Sequence, residues 1–236
     1  MARSKSGIRT LAIDIGGTGL KAIVLDEVGT PLTERVRVET PRPATPSAVM
    51  EALRDLTKPL GAFDRISCGF PGVVVDGVTR SAPNLHVAWA GFRLEADLTR
   101  RLRKPARALN DAGVQGFGVI ERRGVEMVLT LGTGMGCALY LDGRYVPNLE
   151  LAHHPFKGKR TYEQYVGDAA LESAGKKSWN RRVRKVLEQV MRTWNPRVVY
   201  VGGGNAKHLK GSLPDGVKLT DNIAGLLGGI ALWRDA

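Results

Sequence analysis

Two short glycine-rich turns, each set between apolar runs, are the first features of this chain that could do chemistry: IDIGGTG at residues 13 to 19 and LTLGTGMG at residues 129 to 136. A turn without Cβ atoms lets successive backbone N–H groups close on a phosphate, and glycine tolerates the positive φ such a turn can need. Either turn alone also reads as an ordinary hairpin. Both lead into strand-like segments rather than helices, so neither meets the dinucleotide-binding fingerprint and a Rossmann oxidoreductase is disfavoured. A third glycine run, Gly202 to Gly204, follows the strand-like stretch Arg197 to Val201. Asn110 and Asp111 follow the short run Ala106 to Leu109, and polar residues at strand C-termini face a cleft in α/β sheets. Asp111 could accept a proton from a hydroxyl, and it also suits a helix N-cap. Glu150-x-x-His153 spacing can bring a carboxylate and an imidazole to one pocket, with plain loop polarity as the alternative.

Those residues need elements to hold them. Ile8 to Ile15, Leu20 to Leu25 and Leu32 to Glu39 read as an antiparallel meander. The loop TPRPATPS follows, with Ser47 as the expected cap of a helix running to about Thr57. Arg65 to Gly69 returns as a strand, Phe70 to Val78 as loop and hairpin, and Leu94 to Leu102 as a helix. Ala106 to Leu109 is a further strand, handing over to a helix over Val114 to Arg122. The plan then restarts: Asp14, Gly16 and Asp26 lie 116 residues before Thr130, Gly132 and Asp142, each set within strand, glycine turn and strand. Such self-similarity implies two like lobes. From Lys177 to Trp194, apolar residues at helical spacing back a face carrying Arg181, Lys185, Glu188 and Arg192. Asp221 or Asn222 is expected to cap a last helix ending near Trp233. The expected organisation is an α/β chain with one lobe over residues 1–112, joined by a C-terminal helix over 222–236, and a second over 113–221.

Thirty-five Lys and Arg against 23 Asp and Glu leave a formal charge of +12 in 236 residues, which biases the surface toward polyanions. The excess clusters at 100–107, 157–160 and 176–185. A solvated basic face is one reading, and a track for nucleic acid or another phosphate polymer the other. No apolar run reaches about 18 residues, and the N-terminal stretch has no signal-peptide core, so a cytoplasmic protein without a membrane partner is expected. Cys68 and Cys137 each lie in apolar segments and read as core residues.

Taken in order, DIGGTGLK, GFPGVV at 69 to 74, Asn84 before Trp89-Ala-Gly91, LND at 109 to 111, LTLGTGMGCAL, NLELAHH at 148 to 154, VGGG and NIAGLLGG resemble the ROK family of sugar kinases and repressors across nearly the whole chain. Within it, the segment Lys157-Gly-Lys-Arg-Thr-Tyr-Glu163 is similar to that of polyphosphate-using glucokinases. The resemblance implies an actin-like ATPase (ribonuclease H-like) duplicated fold with two lobes around a cleft, and a homodimer. It implies phosphoryl transfer from polyphosphate or ATP to a hexose, glucose foremost, with Asp111 as general base. Asn84, Asn110, Glu150 and His153 would join Asp111 in holding the sugar. Asp14, Gly16, Gly17, Thr18, Lys21, Thr130, Gly132, Thr133, Gly134 and Gly202 to Gly204 would handle the donor. Asp14 would also serve Mg²⁺, mostly through water and donor phosphates. Lys157, Lys159, Arg160, Arg181 and Lys185 would line a polyphosphate track.

The family pattern is not complete. Ala152 stands where a glycine usually precedes His153, the second sugar-binding glutamate of zinc-bearing relatives has no match, and no cysteine follows Cys137, so no zinc site is expected. A repressor would need a helix-turn-helix ahead of Ile8, so no DNA partner is expected. The alternatives are a strictly ATP-dependent kinase for mannose, fructose or an amino sugar, with Gly202 to Gly204 and Gly225 bordering adenine, and a non-catalytic polyanion-binding protein.

Overall fold

A computed structural model describes residues 7–220 and 228–234. The chain divides into two compact units, residues 1–118 with 225–236, and residues 119–224.

In the first unit, β1 (Thr10–Ile15) is apolar and buried except at Asp14, as a strand covered on both faces should be. β2 (Gly19–Leu25) returns antiparallel, followed by β3 (Val36–Glu39). This last strand is shorter than the expected Leu32 start, and Pro31, which lacks an N–H, makes only an isolated bridge to Leu25. α1 (Pro46–Thr57) is capped by Thr45 rather than Ser47: Pro46 suits the first helical position, and Thr45 Oγ1 accepts from Ala48 N at 3.3 Å. β4 (Arg65–Phe70), the small hairpin β5 (Val74–Val75) and β6 (Val78–Thr79), α2 (Leu94–Leu102) and β7 (Ala106–Asn110) follow. The sheet order is β3-β2-β1-β4-β7, with β4 and β7 parallel to β1.

α3 (Asp111–Phe117) begins and ends earlier than the expected Val114 to Arg122, because Asn110 caps it and Gly118 ends it. It packs on β4 and on the 3₁₀ segment Gly228–Trp233, so the unit runs to Gly118 rather than to residue 112. Ser67 Oγ donates to Gly229 O at 2.6 Å, and Trp233 Nε1 donates to Ser67 Oγ at 2.9 Å. The Arg65 and Arg107 guanidiniums lie 5.2 and 4.5 Å from the Trp233 ring centre, a cation–π arrangement that holds this segment to the sheet. The expected cap at Asp221 or Asn222, and Gly225, lie outside the described residues.

The second unit repeats the first. β8 (Val125–Leu131), β9 (Met135–Leu141) and β10 (Arg144–Val146) form an antiparallel meander. The hairpin β11 (Pro155–Lys157) and β12 (Arg160–Thr161) leads to α4 (Tyr162–Val166) and the long α5 (Asp168–Trp194). α5 starts nine residues ahead of the expected Lys177 and turns at Gly175, whose φ of 70° suits glycine. Its buried stripe, Trp179, Val183, Val186, Leu187 and Val190, packs against Met127, Leu129 and Val199, and Trp179 Nε1 donates to Val166 O at 2.7 Å. β13 (Val198–Gly202) and β14 (Val217–Leu219) complete the order β10-β9-β8-β13-β14, the same arrangement as the first sheet. The second glycine turn is one residue shorter: Leu131 faces Met135, whereas Ile15 faces Leu20. Both cysteines are buried, which pushes their thiols up, that of Cys137 to about 12.

Candidate active site

Cross-strand register builds the polar row of the first unit. Asp14 on β1 sits opposite Lys21 on β2, which sits opposite Arg37 on β3, and Lys21 Nζ lies 2.8 Å from Asp14 Oδ2. On the other side Asp14 is paired with Gly69 of β4, and Gly69 with Leu109 of β7, two residues before Asp111. Gly69 leaves the space between the two acids open. A Cβ there would lie 3.7 Å from Asp111 Cβ and 3.8 Å from Asp14 Oδ1. The two carboxylates named from sequence thus flank one glycine at the strand ends.

The first glycine turn is held from three sides. Gly16 N donates to Gly19 O at 3.0 Å, and Thr40 Oγ1 donates to Gly16 O at 2.5 Å. A Cβ on Gly17 would come within 3.5 Å of Asn84, so the Asn84 loop borders the turn that also holds Thr18. A Cβ on Gly19 would meet Arg37 Nε at 2.8 Å, which places that guanidinium across the turn. Asn110 is committed to structure. Its Oδ1 accepts from Ala112 N and Gly113 N at 3.0 and 3.3 Å, and its Nδ2 donates to Gly72 O at 3.2 Å. At most one amide proton remains for a ligand. The cap of α3 is therefore Asn110, while Asp111 Oδ1 accepts from Ala112 N at 2.7 Å.

In the second unit Thr130 of β8 is paired with Gly202 of β13, the counterpart of Asp14 with Gly69. The turn Gly132–Gly134 is tied to the third glycine run through Asn205, whose Nδ2 donates to Gly132 O at 3.2 Å and to Asp168 Oδ1 at 2.6 Å. Asp168 N in turn donates to Gly132 O and Thr133 O at 3.1 and 3.3 Å. Gly203, at φ 88°, passes so close to β8 that a Cβ would lie 2.3 Å from Leu131 O. Gly202 to Gly204 and Gly132 to Gly134 thus form one backbone assembly at the start of α5.

Glu150 and His153 meet as their spacing suggested, with His153 Nε2 3.4 Å from Glu150 Oε2. Burial raises the Glu150 carboxyl above the ordinary carboxylate range; His153 works against this and the nearby Glu163 adds to it. Glu163, the last residue of the segment 157–163, was given no role in the site from sequence. Its Oε2 accepts from Met135 N at 3.3 Å, and a Cβ on Gly134 would lie 2.0 Å from that oxygen. A second carboxylate therefore stands near Glu150, against the Gly132–Gly134 turn. Among the described residues no group of three or more His, Cys, Asp or Glu side chains could hold a metal ion.

The expected cation track falls on two separate elements. Lys157, Lys159 and Arg160 are exposed on the β11–β12 hairpin, and Arg181 and Lys185 are exposed on α5. Arg37, Asn205 and Asp168 had no sequence signal beyond their position, Asn205 directly after a glycine run and Asp168 directly after Gly167.

Two five-stranded sheets of the same order, each with a glycine turn after its central strand, make this an actin-like ATPase fold of duplicated α/β type. The profile of the ROK family matches residues 10–148, and the chain belongs to that family. It is 29% identical over 237 residues to a polyphosphate glucokinase of Mycobacterium leprae (strain TN), covering 93% of this chain and 73% of that one. Its structure resembles the inorganic polyphosphate/ATP-glucomannokinase of Arthrobacter sp. strain KM with a TM-score of 0.88 and 33% identity, over 97% of this chain and 100% of that one. A ROK family glucokinase from Streptomyces griseus, solved with glucose and AMPPNP, shares the fold at a TM-score of 0.78 and 20% identity, over 95% and 98% of the two chains.

Proposed function

We propose that this protein is a sugar kinase that moves a phosphoryl group from polyphosphate or ATP to a hydroxyl of a hexose, glucose foremost. The observation that carries the reading is the pair Asp14 and Asp111 flanking Gly69 at the ends of parallel strands, one acid beside a phosphate-type turn and the other at the head of a helix. The relatives named polyphosphate glucokinase and polyphosphate/ATP-glucomannokinase support the same reaction and donors.

In this reading Asp111 accepts the proton of the attacking hydroxyl, which raises its nucleophilicity. The hydroxyl oxygen bonds to the donor's terminal phosphorus, and the bridging P–O bond breaks to release ADP or a polyphosphate one unit shorter. Asn84, Glu150 and His153 hold hydroxyl groups of the sugar, joined by Glu163; Asn110 contributes mainly by fixing the start of α3, and so the position of Asp111. The turns at Gly16–Thr18 and Gly132–Gly134 with Thr130, the Gly202–Gly204 run and Lys21 meet the donor phosphates through backbone N–H groups and one cation. Mg²⁺ commonly takes one or two carboxylates, donor phosphates and water. Asp14, with Oδ2 already near Lys21, offers one carboxylate and fits that set. The ion would neutralise donor charge. A cytoplasmic setting and a homodimer complete the proposal. No helix among the described residues is long and apolar enough to cross a membrane.

The test is a panel of hexoses against ATP and long-chain polyphosphate, each with Mg²⁺, run on the wild type and on Asp111→Asn. Loss of a general base costs about 10²- to 10⁴-fold in kcat while hexose binding survives. Turnover by Asp111→Asn above about a tenth of wild type, or no hexose phosphorylated by the wild type with either donor, refutes the reading.

A further inference from the structure

The long helix α5 and the short 3₁₀ segment Ala206–His208 assemble a group of cations that the assigned site does not use. Asn180, only 8% exposed, is the clamp. Its Nδ2 donates to Lys176 O at 2.8 Å and to His208 O at 2.9 Å, and its Oδ1 accepts from Lys210 N at 2.7 Å. One helical turn on, Arg184 Nη2 donates to Lys210 O at 2.6 Å. Every one of these bonds to the 206–210 segment uses its backbone, so the side chains of Lys176, Lys207 and Lys210 are left exposed. Among the described residues none of the three has a carboxylate within ion-pair distance, whereas Lys21, Lys58, Lys218, Arg9, Arg100, Arg101 and Arg197 all do.

Asn180 brings the backbones of residues 176, 208 and 210 to one side chain, and the three lysines all act on His208. Burial first, and then Lys176, Lys207 and Lys210, oppose protonation of His208 and hold it below its ordinary range, while Asp168 works the other way. Holding like charges together with only the Asp168 carboxylate nearby to oppose them is electrostatically unfavourable, and a polyanion relieves it. The patch is also continuous with the donor turn. His208 N donates to Asn205 O at 2.9 Å, and Asn205 is the residue whose side chain holds Gly132 and Asp168.

We propose that Lys176, Lys207 and Lys210, with Arg184 beside them, bind the chain of an inorganic polyphosphate that leads to the Gly132–Gly134 turn. This extends the phosphotransferase reading and rests on it for the direction of the chain. It moves the main polymer contact away from the hairpin cations Lys157, Lys159 and Arg160. A nucleic acid fits the patch less well. Non-specific single-strand binding draws on exposed aromatic platforms, and Trp179, the aromatic residue within this stretch of α5, is buried in the core.

Binding of end-labelled polyphosphate is measured without turnover, by fluorescence anisotropy across a salt series, for the wild type and for the Lys207→Gln/Lys210→Gln and Lys157→Gln/Lys159→Gln variants. Both pairs are exposed and their side chains hold nothing in the fold. Neutralising the 207/210 pair is expected to weaken binding about tenfold or more at low salt and to flatten the slope of log Kd against log salt by about one to two. The 157/159 pair is expected to change both much less. Unchanged binding in Lys207→Gln/Lys210→Gln, a larger loss in the hairpin variant, or tighter binding of a single-stranded oligonucleotide of equal charge overturns the proposal. Polyphosphate bound through Lys207 and Lys210 by a protein that phosphorylates no hexose would uphold this site while refuting the kinase reading.

Discussion

Two glycines of one turn, Gly132 and Gly134, should respond oppositely to alanine. Neither has a positive φ, so backbone strain does not separate them; their surroundings do. A Cβ on Gly132 meets nothing within 4 Å, whereas one on Gly134 lies 2.0 Å from Glu163 Oε2 and 2.7 Å from its Cδ. The Glu163 carboxylate would have to retreat by about 1 Å or more to reach ordinary van der Waals separation. It is the end of a flexible side chain, so it can move, but the move breaks its 3.3 Å bond from Met135 N. A long hydrogen bond to a charged acceptor contributes about 1 kcal/mol net. That loss lowers Tm by about 2–4 °C in a chain of this size. Gly132→Ala is expected to leave stability unchanged or raise it by about 0.5 kcal/mol through the unfolded chain. Urea unfolding measures both, and hexose KM reports whether a displaced Glu163 disturbs sugar binding. Glu163→Ala in the Gly134→Ala background removes the obstruction, so the two losses should not add. Equal stability of the two alanine variants, or strict additivity in the double variant, would refute this account of the turn.

Glu150 carries a pH signature. Burial raises its carboxyl, so the folded-state preference for the protonated form is fully present below the unfolded value near about 4.3 and is lost as pH rises through the raised folded value. Glu150→Gln should therefore melt higher than the wild type at pH 7, with the difference shrinking toward pH 4, and should bind hexose worse. A gap that does not shrink on acidification would remove burial as the cause. At Gly203 alanine meets backbone rather than a mobile side chain, 2.3 Å from Leu131 O and 2.5 Å from Leu131 N, at φ 88°. Gly203→Ala should cost about 3 kcal/mol or more, seen as a fall in Tm of about 6 °C or more or as insoluble expression. Wild-type stability in this variant would contradict the close approach of the third glycine run to β8.

Local order was legible wherever a residue's own chemistry decided it. Glycine turns between apolar alternations, the Leu94 to Leu102 helix and the apolar stripe of α5 each follow from side-chain volume, backbone freedom and periodicity within a few residues. The repeat at 116 residues implied two like sheets, and their strand orders match. Asp111 after a strand and Glu150 with His153 were named from type and spacing together with the resemblance to the ROK family. Where neighbouring residues offered rival local solutions, the structure decided between them. Thr45 outcompeted Ser47 as a cap once Pro46 took the first helical position. Asn110, a polar residue beside an acid, is largely consumed in capping α3 and in its bond to Gly72.

Pairing across strands was out of reach of any linear pattern. Gly69 stands 55 residues from Asp14 and 42 from Asp111, and only parallel register places it between them. Glu163 ended the segment likened to polyphosphate-using glucokinases but had no role of its own until the hairpin and α4 set it against Gly134. The cations at 207 and 210 join Lys176 only because Asn180 ties their loop to α5. Charge count alone established that this protein has cations to spare. Which of them stand together without carboxylate partners was decided by the fold, since electrostatic coupling depends on distance in space and not on separation along the chain.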